Sequence, residues 1–451
     1  MGAICASPSR SAAVLSVSIS VRRIDGRQRA MAKVVVTMLG ARMHYAVPRL
    51  LYEAGLLERF FTDSYSGNKP WLRLAAQAIP RKVRPAVLER WLGRDDAALS
   101  PERVVSFEGL GWWYAHARRR ARSPGGIQEV FNESAARFNQ LILAHPAFVA
   151  GDVVWGFNGA SLALFAAAQR QGRRCILEQT ILPKRLATQL LAEEAERWPG
   201  WEASAAGGGS PPVLDPVLRE EHEWALADRI VAGSAFVRDG LVQLGVAEDK
   251  IRVVPYGVDA ARFVVEPAGA GGPDQTARRG PLRILFAGQV GVRKGVPDLL
   301  QALRRLPVNA VDCRLAGPIG LAADKLRDLP GAAQLLGPVP RSRMGELFRW
   351  AEVLVLPSLV EGSATVTYEA LMSGLPVIAT PNAGAPVRDG VDGSLVPIRN
   401  PQVLADAFQR YLDAPDLLRS HQNAALKDRA RLGLETYRDN LVGVVQELAG
   451  G

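Results

Sequence analysis

Short β-branched runs alternate with helical patterns along this chain, and the alternation occurs twice. That pattern constrains the fold more than any other feature of the sequence. Val34–Met38 reads as a buried strand, and Val47–Ala54 as the helix after it. Strands Val153–Trp155 and Cys175–Leu177 flank a helix over Leu162–Gln171. The stretch Ala225–Ala232 ends in a strand, Val237–Leu244 is helical, and Ile251–Pro255 is extended again. Strands and helices at this spacing predict a parallel sheet covered on both faces.

The pattern breaks at residues 265–281, an unpatterned mixture of Pro, Gly and Ala that reads as a linker. It then restarts with strands Arg283–Phe286, Asp312–Leu315, Val353–Leu356 and Val377–Ala379. Helices Val296–Arg305, Met344–Trp350 and Val366–Ser373 lie between them, and Gln402–Leu412 and Tyr437–Leu448 close the chain. The length of 451 residues accommodates two such domains. The expected boundaries are 31–264, the linker 265–281, 282–430, and a last helical segment over 431–451.

Residues 1–30 are rich in Ser and Arg and carry one acid, Asp25. Serines interrupt the apolar stretch Ala12–Val21, and Ala6 stands where a myristoylation signal wants Ser or Thr. The segment reads as a disordered extension or a misassigned start before Met31. No apolar run approaches the ~20 residues that span a bilayer. Cys5, Cys175 and Cys313 follow no metal-ligand spacing, which fits a reducing compartment. The net charge of +10 attracts phosphates of any kind without choosing among them.

The chemistry concentrates in Glu361-Gly-Ser-Ala-Thr-Val-Thr-Tyr-Glu369. Here a buried strand ends at Pro357-Ser358, Gly362 permits a tight turn, and Ser363, Ala364 and Thr365 offer backbone N–H groups at a helix start. Aligned amides of this kind hold a phosphate. Eight positions are slightly over two helical turns, so Glu361 and Glu369 are expected to face one cleft. Carboxylates suit vicinal sugar hydroxyls. A second element is Gly288, ending a strand, followed by Arg293 and Lys294 at the next helix start. Cations there oppose the helix dipole, so the pair calls for an anion, and a diphosphate fits. The alternative for each motif is an ordinary solvated surface turn.

The segment Glu361-Gly362 through Glu369-Ala370, Gly374 and Pro376-Val377 resembles the two-glutamate signature of retaining GT-B glycosyltransferases of the group 1, GT4-like family. Further matches follow in order: Ala227-Asp228 with Ser234, Pro255-Tyr-Gly-Val-Asp259 with Phe263, Gly288 with Lys294-Gly295, and Asp389-Gly390 with Gly393. The resemblance implies a GT-B fold, with two Rossmann-like domains facing across a cleft. Its activity would be retaining transfer of a sugar from a UDP- or GDP-sugar to a saccharide or lipid-linked acceptor hydroxyl. Catalytic roles fall to Glu361, Arg293 and Lys294. Gly40, Gly288, Arg293, Lys294, Gly362, Ser363, Ala364, Thr365 and Glu369 would hold the donor, with Glu361 on its sugar and Glu369 on its ribose. No metal is expected, and no cofactor beyond the nucleotide sugar as co-substrate. The last helix is expected to cross back to the first domain.

Two departures stand out. Gln289 follows Gly288 where the family usually has Arg, and Asn158 follows Val153–Trp155 where members often have His. Arg293 is the expected replacement for the first. In the loop after the first strand, His44 is a candidate contact beside Gly40.

Residues 69–122 interleave Trp71, Trp91, Trp112, Trp113 and Tyr114 with Arg73, Arg81, Lys82, Arg84, Arg90, Arg94 and Arg118-Arg119-Arg120. That mixture suits an anionic membrane surface or a solvated face over buried indoles. No nucleic-acid recognition pattern accompanies it, so no nucleic-acid partner is expected. The expected location is cytoplasmic, peripheral at the inner membrane face. Two rival readings stay open: another enzyme on the same scaffold, such as a sugar phosphorylase or a sugar-nucleotide epimerase or hydrolase, and a non-catalytic basic membrane binder.

Overall fold

A computed structural model describes residues 32–80, 83–121, 123–202, 215–263 and 280–450. The N-terminal extension, the linker through residue 279, and Arg81 and Lys82 lie outside the described residues. The first half builds a seven-stranded sheet from β1 (Val34–Met38), β2 (Leu57–Thr62), β3 (Val104–Ser106), β4 (Val153–Phe157), β5 (Arg174–Gln179), β6 (Arg229–Ala232) and β7 (Ile251–Val253). Its order is β3-β2-β1-β4-β5-β6-β7, every pairing parallel. The second half repeats the plan with β8 (Leu282–Ala287), β9 (Val311–Ala316), β10 (Ala333–Gly337), β11 (Val353–Leu356), β12 (Val377–Ala379) and β13 (Gly393–Leu395). These run in the order β10-β9-β8-β11-β12-β13, again parallel.

All of β1 and all of β11 are buried, as expected of strands covered by helices on both faces. In each sheet the strand order reverses beside the first strand, between β1 and β4 and between β8 and β11. Loops leaving the carboxyl ends at such a reversal open into a crevice. The chain places Gly40–Tyr45 after β1 and Asn158 after β4, then Gly288–Lys294 after β8 and Pro357–Thr365 after β11.

One apolar cluster runs from Val34, Phe60 and Trp155 through Tyr256 and Tyr437 to Ile284, Leu354 and Leu371. The last helix, Leu434–Gly450, lies on the first domain. It packs on helix Ala46–Glu53, sets the Tyr437 ring edge-on to Tyr256, and pairs Glu447 with Arg252 at 2.7 Å. Among the described residues, no helix is long and apolar enough to cross a membrane.

Candidate active site

The basic turn is a 3-10 turn, Val292–Lys294, set ahead of helix Val296–Arg304 rather than being its first turn. Gly295 stands between them with φ of 70°. Two first-domain groups hold this part of the second domain from outside. The Val292 amide donates to Glu202 Oε1 at 2.6 Å, and Arg197 pairs with Asp298 at 2.9 Å.

Lys294 and Arg293 both bond to the same oxygen, Glu361 Oε1, with Lys294 Nζ at 2.5 Å. Arg293 also donates to the Val360 carbonyl at 2.8 Å, and its own carbonyl accepts from the Leu359 amide at 2.9 Å. Lys294 is buried. That burial pulls its ammonium below the ordinary lysine range, and the Glu361 charge partly opposes the fall. The sequence reading asked for an anion to meet these cations. The anion that meets them is Glu361 itself.

Glu361 and Glu369 do not share a helix. Helix Thr365–Met372 begins four positions after Glu361, so the two-turn spacing does not relate the two carboxylates. Glu369 Oε1 accepts from Arg341 at 3.2 Å; burial raises the pKa of its carboxyl, and the Arg341 charge opposes the rise. Glu369 lines a cavity of about 550 Å³ together with Thr365, Arg341, His44, Gly257 and Asp259, and Glu361 is not part of that lining.

Of the three amides expected to be free, one is engaged. The Ala364 amide donates to the Ala383 carbonyl at 3.1 Å. Ser363 is buried, its hydroxyl 2.6 Å from Tyr368 Oη and donating to the Gly384 carbonyl at 3.2 Å. Thr365, at the helix start, is the member of the trio that reaches the cavity.

The two domains also touch at Gly362. An added Cβ would lie 1.9 Å from the Thr180 carbonyl oxygen and 3.0 Å from Ile181 Cα. The neighbouring Leu182 amide donates to the Glu361 carbonyl at 3.1 Å. Leu182, Leu359 and Val360 close an apolar patch beside this seam.

Gly288 donates its amide to Ala316 at 2.9 Å, and a Cβ there would stand 3.8 Å from Lys294 Nζ. Gln289 lies against Gly320, while Arg293 is spent on Glu361 and Val360. Gly40 has φ of 87° and bonds to Asp63 at 2.9 Å, with open space on the side a Cβ would occupy. The next turn is strained: Met43, His44 and Tyr45 all take left-handed backbone angles, which L-residues adopt at a cost. Tyr45 is fixed by its hydrogen bond to the Ser64 carbonyl and by edge contacts with Phe60 and Tyr65.

Asn158 accepts from the Thr180 hydroxyl at 2.8 Å and donates to Glu220 at 3.0 Å. Sequence reasoning missed most of this first-domain network: Arg42, Thr180, Glu178, Glu220 and Tyr256. One signal was available. Glu178 follows Cys175-Ile-Leu at the end of a buried strand, and an acid there marks a strand's ligand-facing end. Its carboxyl, pushed up to about 7 by burial, meets Trp155 Nε1 at 3.3 Å and Tyr256 Oη at 3.4 Å.

The basic aromatic segment divides into two kinds of residue. Trp91 is buried and donates to Glu108, Trp113 lies under the Arg137 guanidinium, and Arg73, Arg84 and Arg94 pair with Asp95, Glu89 and Asp63. Helix Pro70–Ala78 instead leaves Trp71 82% exposed, with Leu72 and Leu74 beside it. Arg118, Arg119 and Arg120 are exposed at the end of helix Glu108–Arg120.

Residues 281–414 match the model of the group 1 glycosyl transferases. The D-inositol 3-phosphate glycosyltransferase of Streptomyces griseus is 32% identical over 272 residues, which is 52% of this chain and 57% of that protein. The chain thus spans about half the length of the curated relatives it matches. Sucrose-phosphate synthase from Thermosynechococcus elongatus superposes with a TM-score of 0.62 at 17% identity, covering 93% of this chain and 99% of that one. Anabaena HepE, solved with UDP and glucose, gives 0.58 at 14% identity over 92% and 100% of the two chains. The two sheets therefore form a GT-B fold. The match to the group 1 glycosyl transferases falls on the second domain, which carries the Glu361 and Lys294 site.

Proposed function

We propose that this protein is a retaining, metal-independent glycosyltransferase using a UDP- or GDP-sugar. The observation that carries the reading is the convergence of Arg293 and Lys294 on one oxygen of Glu361. A donor diphosphate replaces that carboxylate on the two cations, and the released carboxylate turns to the sugar hydroxyls. The bond from the anomeric carbon to the diphosphate oxygen breaks as the acceptor oxygen bonds to that carbon on the same face. The acceptor proton passes to the departing diphosphate, whose charge Arg293 and Lys294 hold. Two fixed cations supply the charge that a divalent ion supplies elsewhere. Thr365 and Glu369 face the nucleoside end. The UDP bound by HepE makes uridine the first base to try.

The test is a panel of UDP- and GDP-sugars with candidate acceptors in EDTA. We expect acceptor-dependent release of the nucleoside diphosphate, with the product anomer matching the donor anomer by NMR. Activity lost in EDTA and restored by magnesium or manganese contradicts metal independence, and an inverted anomer contradicts retention.

The exposed face of helix Pro70–Ala78 supports a membrane-bound, lipid-linked acceptor as the second half of this reading, with the chain peripheral at the inner face of the cytoplasmic membrane. Trp71, Leu72 and Leu74 would enter the interface while exposed cations meet anionic headgroups. Each surface cation adds ~1 kcal/mol against a charged leaflet, screened over ~10 Å at ~0.1 M salt. Co-sedimentation with anionic liposomes should therefore weaken as salt rises. It should also fall when Trp71 and Leu72 become Glu, or when Arg118, Arg119 and Arg120 become Glu, with UDP binding unchanged. Equal binding to neutral liposomes contradicts the electrostatic part, and no binding to any liposome favours a soluble saccharide acceptor.

A further inference from the structure

Arg42 follows β1 on the strained turn Gly40–Tyr45, and its guanidinium sits among the carboxyl ends of neighbouring strands. Its Nη1 donates to Thr180 Oγ1 at 2.6 Å, just past β5, and its guanidinium carbon lies 5.8 Å from the centre of the Phe157 ring, at the end of β4. Thr180 is itself fixed: Asn158 Oδ1 accepts its hydroxyl at 2.8 Å and its amide at 3.2 Å, and Asn158 is held by Glu220. The head group is therefore oriented from behind, at the point where the first sheet reverses its strand order.

No carboxylate touches it: among the described residues, no carboxylate oxygen lies within 4 Å of an Arg42 nitrogen. Thr180 is the hydrogen-bond partner of its side chain, which leaves most of a guanidinium's donors uncommitted. The near acid is Glu178, and burial holds that carboxyl toward its neutral form. The usual anion seat of such a domain is already occupied. Helix Leu162–Arg170, which follows β4, has its N-terminus capped by Glu223, whose oxygens accept from Gly159, Ser161 and Leu162 at 2.6, 2.7 and 3.1 Å. Arg42 is thus a partly buried, oriented cation in the first-domain crevice with no carboxylate in direct contact among the described residues, unlike Arg293 and Lys294.

The position relates this cation to the reaction. The carbonyl of Thr180 abuts Gly362, and Leu182 bonds to Glu361, so Arg42 is linked through one residue to the seam where the donor sugar is placed above. We infer that Arg42 is the binding group for an oxyanion on the acceptor, a phosphate monoester above all, and that it fixes the acceptor by a two-pronged contact beside Glu361. A guanidinium fork matches a phosphate in this way, and a lysine cannot reproduce it fully. This assignment rests on the glycosyltransferase reading for the word acceptor, but the anion site itself does not.

The test titrates inorganic phosphate into the full chain saturated with UDP, so that Arg293 and Lys294 are already engaged. Wild type is expected to bind one phosphate per chain. Arg42→Gln should bind it at least tenfold more weakly and Arg42→Lys should fall between, with UDP affinity and thermal midpoint equal to wild type in both. Phosphate binding unaltered in Arg42→Gln, or absent from wild type with UDP bound, overturns the inference. Loss of UDP affinity in step with phosphate affinity also overturns it, because Arg42 then belongs to the donor's diphosphate. A wild-type chain that ignores UDP contradicts the donor reading instead, and comparing phosphate binding by wild type and Arg42→Gln then still decides the Arg42 site.

Discussion

Replacing Glu361 with Ala is expected to tighten the binding of free UDP while removing most of the turnover. The two effects have opposite signs because Glu361 plays two parts. It is the anion that Lys294 and Arg293 already hold, so an incoming diphosphate must displace it. Removing the competitor leaves both cations unpaired, a state that costs stability and is relieved by a bound diphosphate. A gain of about tenfold in UDP affinity, about 1.4 kcal/mol, is the expected scale. Turnover needs the displaced carboxylate on the sugar, and losing a positioned group of this kind costs roughly 10²–10³ in rate. Glu369→Ala is expected to act on affinity alone. It sits in the cavity with Thr365 and Arg341, away from the cation pair, and its loss also frees Arg341.

Gly362→Ala is expected to be a severely damaging single-methyl change at the seam between the domains. The new Cβ would meet the Thr180 carbonyl at 1.9 Å, and both groups are backbone, so neither can rotate away. The Gly362 carbonyl is pinned as well, accepting from Ser234 of the first domain and lying 2.1 Å from where a Cβ on Gly384 would stand. Relief requires the seam between Thr180–Leu182 and Glu361–Gly362 to open. Overpacking of this kind costs about 1–3 kcal/mol, and a shift of about 1 Å in a reacting group lowers rates roughly 10²-fold. Thermal unfolding and turnover should both report it. A wild-type midpoint with wild-type turnover would show that the domains do not meet as described.

The sequence carried the parallel architecture because central strands hold short apolar runs, such as Val34–Val36, Val153–Trp155, Ile284–Ala287 and Val353–Leu356. Val353–Leu356 and Val377–Ala379 have in the structure the limits read from the sequence. The strands not read from the sequence are β2, β3, β10 and β13. β2 is interrupted by Glu58-Arg59, β10 is only half-buried, and β13 has three residues, so none shows a clean period. In the site, residue types and order were readable: Glu361, Gly362, Glu369, Arg293 and Lys294 lie near the carboxyl ends of β8 and β11. Their partners were not. The Glu361 contact to Lys294 crosses between separate loops, and the Ala364 amide is spent on Ala383 across a turn. No local pattern encodes either contact. The first-domain network of Arg42, Thr180, Asn158 and Glu220 is likewise assembled from four segments, and only the pairing of β1, β4 and β5 brings it together.

Calorimetric titration of UDP in EDTA, run on wild type, Glu361→Ala and Glu369→Ala, bears most directly on the claim that a carboxylate occupies the donor's diphosphate site. The expected result is one UDP per wild-type chain, tighter binding by Glu361→Ala, and weaker binding by Glu369→Ala. Equal losses of affinity in the two variants, or binding that appears only when magnesium is restored, would contradict it.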